Sequence, residues 1–467
     1  MRKLTLLSLL LAVGCSEGIL GTEQDVPSHP DQAIPFIQRT ETRVSADDIS
    51  AIAPQIVNNG ILTRSSDENT IESIDTICDD SGHPVFYIVN FCDNQGFLIM
   101  SSSLRYYPVL AYVEHGTFDE NDILLKDILS QYKLELLHNE NSLEVDAQAE
   151  FLDMWRRYET SYAAVNTPVY TRDDGILTLR SDFIHTWEEQ GYDCFSLDER
   201  PEGLPESIYE NWCETAESVA HPDYNSISDA IIVRRTTRVH DSVPALLSTL
   251  WNQDYPYNYG LDGLFSSTDA AAGCVTIALG QIMKYHQWPS RYNWSNMPNN
   301  AVSYCADLSN FIQDLFDDVI LLPYQNDWSM SHIQPVIKSV LKNQYDYNAS
   351  LDTHNALTVK SSLSSGNPVF MMGSENGILS DRHAWVCDGF NYSELCYHFE
   401  LYVVSIVEPP LQYEFISSHD CSSANTFFHM NWGHSPSSNG WFTDMSYPSN
   451  EPWTTLRTDM IIQPDRQ

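Results

Sequence analysis

Basic residues are scarce in this chain. Its 467 residues hold 24 Lys and Arg against 64 Asp and Glu, a formal net charge of −40 at pH 7. Such a surface repels phosphate backbones, which excludes nucleic-acid binding, a function that needs clustered Lys and Arg. Long apolar runs are also missing: beyond the N-terminus no stretch approaches the roughly 18 residues that cross a bilayer. Ten cysteines are present, yet no two stand in CxxC spacing, so a zinc ribbon or a dithiol redox site has no support. His429 and His434 could pair on a metal, but no carboxylate or cysteine stands at ligand spacing beside them, and no motif calls for a cofactor.

What is present is a globular composition. Hydrophobic residues make up 42% of the chain, with 11 Trp and 25 Tyr, which excludes the aromatic-poor disordered class. The length allows two or three domains, each with its own core.

The first residues read as a targeting segment rather than fold. Arg2 and Lys3 precede an apolar core from Leu4 to Val13, and small residues lead to Cys15. This resembles a bacterial lipoprotein signal, which implies removal of residues 1–14 and acylation of Cys15. Ala12 stands where such signals usually carry Leu, and an ordinary signal-peptidase site is the alternative. Either way export is expected. Ser16 after the cysteine implies outer-membrane sorting, and residues 15–33 read as an acidic tether. Setting aside Cys15 and one further cysteine discussed below leaves eight, an even number that permits disulfides or free buried thiols.

Residues 34–118 carry a short helical stretch (Ala46 to Val57) and then β-rich runs. Pro84 to Phe91 and Gly96 to Ser101 flank the turn-forming Cys92-Asp-Asn-Gln95, and Pro108 to Val113 adds another strand. From Asn121 to Tyr162 the period becomes helical, predicting two helices. Residues from about 163 to 240 are broken by Pro201, Pro205 and Pro222 and read as connection, ending in the basic run Val233-Arg-Arg-Thr-Thr-Arg238. The whole connecting region is taken as 119–242. From 243 to 467 helices come first (Ser309 to Phe316, Ser331 to Asn343) and strands follow Asn367, the pattern of a two-part α+β domain. The aromatic run Tyr397 to Phe415 reads as extra strands or an insertion.

Within that last region, Cys274 stands just ahead of Val275, Ala278, Leu279 and Ile282, an apolar stripe with helical spacing closed by Pro289. A thiol at a helix start meets unpaired N–H groups and the positive end of the dipole, which favour thiolate. A cysteine nucleophile needs a base and a group that orients the base. His383 heads an alternating strand in Asp381-Arg-His-Ala-Trp-Val-Cys-Asp-Gly389, and Asn431-Trp432 stand on a later one. The order Cys, His, Asn-Trp is papain-like.

The segments Gly273-Cys-Val through Gln281-Ile-Met-Lys-Tyr-His286, His383-Ala-Trp-Val with Asp388-Gly389, and His429-Met-Asn-Trp-Gly433 with Gly440-Trp-Phe442 resemble the streptopain family of bacterial cysteine peptidases. Trp251-Asn-Gln, Pro256-Tyr-Asn258 and Pro368-Val-Phe370 extend the likeness, and residues 34–118 are similar to that family's inhibitory prosegment. The resemblance implies an α+β, papain-like two-part peptidase domain over 243–467, preceded by a β-rich prosegment domain with helices. It implies Cys274 as nucleophile, His383 as general base, Asn431 as the residue orienting the imidazole, Trp432 as its shield and Gln253 as an oxyanion-hole donor. The expected activity is that of an exported cysteine endopeptidase made as a zymogen. Its partners are then protein or peptide substrates, its own prosegment, and a membrane through Cys15. Cleavage near Arg234 to His240 would mature it and free it from the anchor. Where the family continues Asn-Trp-Gly with a second Trp, this chain has His434-Ser-Pro436, which leaves an inactive peptide- or partner-binding member as the alternative. A surface glycan-binding lipoprotein is a more distant one.

Overall fold

In a computed structural model, residues 35–467 form one compact unit. The described residues are 42–58, 70–79, 81–119, 123–142, 151–152, 154–155, 158, 174–219, 229–261, 271–321, 330–374, 382–404, 412–434, 439–443 and 457–466. The expected signal, tether and Cys15 lie outside them, as do Ser435 and Pro436.

The chain opens with α1 (Ala46–Asn58), which packs on an antiparallel meander of β1 (Ile71–Cys78), β2 (Pro84–Phe91), β3 (Phe97–Ser101) and β4 (Val109–Val113). The expected hairpin is present, with β2 and β3 joined through a short turn whose Asp93 and Asn94 take positive φ. Asp and Asn tolerate that conformation because their short polar side chains bond locally. Both faces of the meander are covered. Ile49, Ile52 and Ile56 of α1 meet Tyr87, Val89 and Leu98 on one side. On the other, Leu125, Ile128, Leu129, Tyr132 and Leu136 of α2 (Ile123–Ser142) meet Phe86, Ile88 and Ile99, the i, i+3, i+4, i+7 stripe its sequence predicts.

Next come α3 (Asp174–Glu188), β5 (Asp193–Ser196), α4 (Glu206–Val219) and β6 (Ala230–Val243). The sequence reading takes this stretch as a helical or mixed connecting region that could lengthen the prosegment or form a separate helical domain; its described residues form two helices and two strands with a core of their own. Strand β6 pairs along its length with the later strand β9, from Ala230 opposite Val403 to Val243 opposite Phe390. Leu204, Trp212 and Ile232 bury against Leu395, Phe399 and Leu401. The proline breaks mislead because the partner surface lies some 150 positions downstream, beyond any local pattern. Arg234 to His240, taken as a cleavage site, lies inside β6, where Arg234 also bonds Asp193 at 2.8 Å and stands over the Phe195 ring. Cutting there requires pulling a strand out of the sheet.

The remaining elements are α5 (Cys274–His286), α6 (Ala306–Phe316), α7 (Met330–Tyr345), β7 (Tyr347–Thr353), α8 (Ala356–Ser364), β8 (Val369–Ser374), β9 (Arg382–Val404), β10 (Tyr413–Asn431), β11 (Gly440–Thr443) and β12 (Thr458–Pro464). Most of the helices precede the strands, in line with the α+β expectation, with β7 set between α7 and α8. All strand pairs are antiparallel, and the main path of the 12-stranded sheet runs β1-β2-β3-β4-β11-β10-β9-β8-β12-β7, with β6 on β9 and β5 on β6. The aromatic run after Phe390 is the far half of the long β9–β10 hairpin, which carries β6.

The N-terminal meander and the C-terminal strands are therefore one sheet, joined where β4 meets β11. Gly440 is placed by that junction: a Cβ there would stand 2.4 Å from the Tyr112 carbonyl oxygen. Trp441 beside it donates from its indole N–H to Glu114 at 2.9 Å.

Candidate active site

Cys274 is the first residue of α5, and Gly273 before it holds φ +82°, a conformation that lets the chain turn sharply into the helix. The α5 stripe is buried, with Ile277, Ala278, Leu279 and Ile282 in a core shared with Phe311, Ile312 and Met372. That packing fixes the helix, and so the thiol, against strand β9. The backbone N–H of Ala384, the neighbour of His383, is near enough to the thiol to favour its thiolate. Burial pushes the thiol up from its ordinary value, outweighing the N–H groups that favour thiolate. The helix-start argument has the right donors, but the closed surroundings decide the sign.

His383 sits at the start of β9. Its Nε2 donates to the carbonyl oxygen of Trp432 at 3.0 Å, which leaves Nδ1 with the lone pair in the neutral ring. Burial, with the nearby His434, pulls this histidine down to about 4, while the Trp432 carbonyl acts in the opposite direction. Thiol raised and imidazole lowered favour the neutral pair in this packing, in which both side chains are half-buried.

Asn431 stands at the end of β10, but its side chain faces α5 instead of the imidazole. Its Oδ1 accepts from Gln281 Nε2 at 3.0 Å and from Gly433 N at 3.3 Å, and its Nδ2 donates to the Thr249 carbonyl at 2.8 Å. The sequence reading gives Asn431 the role of orienting His383. In the structure that hydrogen bond comes from the backbone one residue later. The physical reason is the strand's alternation: the side chain of Asn431 goes toward the helix, and the chain then turns the Trp432 carbonyl toward the histidine.

Trp432 is 6% exposed, its ring 6.1 Å from that of His383 and 5.0 Å from that of Trp385. Trp385 lies nearly parallel to the imidazole, at 6.0 Å and 11°. Both tryptophans belong to the apolar cluster that includes Ile99, Leu110 and Tyr132, so the N-terminal domain's core continues to the site. Gln253 is tied to the segment before Cys274, since its carbonyl accepts from Ala272 N at 2.8 Å.

Three groups escape the sequence reading. Gln281, 0% exposed, lies seven residues after Cys274 on the same helix face, and a polar residue on an apolar stripe is the available signal. Trp385 enters the sequence reading only as one letter of the histidine's motif. His434 enters it only as a rejected metal partner of His429 and as a departure from the family; its contacts with His383 and Gln253 depend on a loop conformation that no periodicity encodes. His429, by contrast, is buried with its Nδ1 2.6 Å from Asp388 Oδ1, and Asp388 Oδ2 accepts from Leu247 N at 2.8 Å. That pair anchors the start of the C-terminal region to β9.

A cysteine at a helix start, a histidine on the strand packed against that helix, and an N-terminal meander whose core reaches them agree with what sequence comparison finds. Residues 251–291 and 290–442 match the profile of the Peptidase C10 family, and residues 41–136 match that of the Spi protease inhibitor. The inhibitor match thus includes the start of α2. The chain is 27% identical over 180 residues to the thiol protease/hemagglutinin PrtT of Porphyromonas gingivalis, covering 30% of this chain and 20% of that longer protein. Among solved structures, Prevotella intermedia prointerpain A aligns with 13% identity and a TM-score of 0.42 over 84% of this chain and 98% of that one. Active interpain A aligns with 18% identity and a TM-score of 0.31 over 47% and 94%. The chain belongs to the Peptidase C10, or streptopain, family of cysteine peptidases and carries a Spi-type inhibitor prosegment ahead of its peptidase region.

Proposed function

We propose that this protein is the zymogen of a papain-like cysteine endopeptidase, with Cys274 as nucleophile and His383 as general base. The observation that carries the reading is the meeting of α5 and β9 in one core, which packs Cys274 at the helix start with Ala384 of β9, while the adjacent His383 is held through Nε2 by the Trp432 carbonyl. With Nε2 committed as donor, Nδ1 is left to take the thiol proton. The thiolate then attacks the scissile carbonyl carbon, and the developing oxyanion takes N–H donors from the Cys274 backbone and the Gln253 amide. His383 returns the proton to the leaving amine as the C–N bond breaks, leaving a thioester. Water attacks the thioester, His383 accepts its proton, and the acid product departs as the thiol re-forms.

The neutral thiol and imidazole belong to the latent form. Removing the prosegment would open the Trp385 and Trp432 side to water and lower the desolvation penalty on both groups, which favours the ion pair. Export with acylation of Cys15 belongs to the same proposal and rests on the N-terminal sequence alone. The test is hydrolysis of denatured casein by the processed protein, beside Cys274→Ser and with a thiol-directed epoxide. Loss of hydrolysis in both controls is expected; hydrolysis that survives Cys274→Ser would overturn the assignment.

A further inference from the structure

His434 occupies a place that the mechanism above does not use. Its ring lies against that of His383, centroids 4.8 Å apart and 24° from parallel. Its Nε2 stands 3.3 Å from Gln253 Nε2. An amide nitrogen only donates, so His434 Nε2 accepts, and the ring is the neutral tautomer protonated at Nδ1. One exposed imidazole therefore touches the proposed base with its face and the proposed oxyanion donor with its edge.

We propose that His434 is a positioning residue for the peptidase reaction, a clamp that fixes the ring plane of His383 and the amide plane of Gln253 relative to each other. The proposal rests on the reading of Cys274 and His383 as the catalytic pair. The chemistry of the amide makes the clamp compatible with catalysis: Gln253 carries two N–H groups, His434 takes one, and the other stays available to an oxyanion. A carboxamide on a partly exposed side chain would otherwise rotate among several rotamers, and holding it before substrate arrives removes that loss from the activation barrier. The same reasoning covers His383. The Trp432 carbonyl fixes one point of the imidazole, which still permits tilting about that hydrogen bond, and a ring laid on its face limits the tilt. The glycine before His434 supports the placement: Gly433 holds φ +70°, and its N–H is bound by Asn431 Oδ1, so the turn that presents His434 is tied to the buried Asn431.

The experiment uses the full chain, processed to the active form, with His434→Ala, His434→Phe, Gln253→Ala and the double variant His434→Ala with Gln253→Ala. On a fluorogenic peptide, His434→Ala is expected to lower kcat about five- to tenfold, the worth of one hydrogen bond, with KM within about twofold. His434→Phe, which keeps a ring on His383, is expected to recover part of the loss. The double variant should fall short of the product of the two single losses, because one of the clamp's two holds acts through that amide. Parental kcat in His434→Ala, or losses that multiply in the double variant, would overturn the proposal. A second readout does not need turnover. In the Cys274→Ala protein, the proton uptake of His383 followed by NMR should move to higher pH when His434→Phe removes a ring that becomes charged once acid protonates it off Gln253. An unchanged titration there overturns the clamp even if the protein proves not to hydrolyse peptides; absence of turnover together with a shifted titration would instead count against the peptidase reading alone.

Discussion

Replacing Asn431 by Ala separates two accounts of that residue. Asn431 is 3% exposed, and its amide holds three partners: Gln281 Nε2, Gly433 N and the Thr249 carbonyl. The Asn431→Ala variant would leave those groups without their partner in a site closed to water. Each buried polar group left unpaired costs roughly 1–3 kcal/mol, partly relieved by relaxation, so about 3 kcal/mol is a reasonable total. Gln281→Ala removes the same central bond from the other side and should cost about 2 kcal/mol, plus a small cavity term. Because the two share one hydrogen bond, the double variant should fall short of the sum by about 1 kcal/mol. Urea unfolding of the Cys274→Ala protein measures all four corners without self-digestion. The reasoning is refuted if Asn431→Ala keeps parental stability while its active form loses nearly all turnover. That pattern would mean the side chain acts on the imidazole itself.

Gly440→Ala places a methyl 2.4 Å from the Tyr112 carbonyl and so strains the junction between prosegment and peptidase strands; faster activation of the zymogen, followed by casein hydrolysis over time, is the expected outcome. Processing should leave α3 through β6 with the peptidase, because Trp212 and Ile232 bury against Phe399 and Leu401 of the β9 arm. N-terminal sequencing of the active form should then find a start upstream of Asp174, and a start near His240 with residues 174–234 lost would refute this. His383 and His286 are each pulled down to about 4 by burial, so the unfolded chain takes up protons first. Their stabilisation is present above the unfolded value near 6.5 and is lost as pH falls toward 4, by at most about 3 kcal/mol for each. His383→Gln should flatten the fall of zymogen stability between pH 6.5 and 4, read by urea midpoints.

The helix after Cys274 and the N-terminal hairpin were legible because each depends on a local pattern. The stripe after Cys274 required a helix, and the turn-flanked runs before Ser101 required a hairpin. What escaped the sequence lies between distant segments. Strand β6 exists because a hairpin arm far downstream offers it an edge, and nothing in residues 163–240 announces that edge. The hydrogen-bond partner of His383 escaped for a different reason: a backbone carbonyl has no signature in side-chain identity, so Asn431 was expected where the carbonyl of Trp432 makes the bond. The sign of the thiol's shift was hidden too, since a helix start argues for thiolate and only the packed surroundings show burial outweighing it.

The most direct test is the mass of the processed protein after exposure to a thiol-directed epoxide, with peptide mapping of the adduct and casein hydrolysis measured on the same sample. One adduct on Cys274, with hydrolysis abolished in step with its formation, is the predicted result. An unlabelled Cys274 in a protein that still cleaves casein would contradict the assignment of nucleophile, base and covering prosegment together.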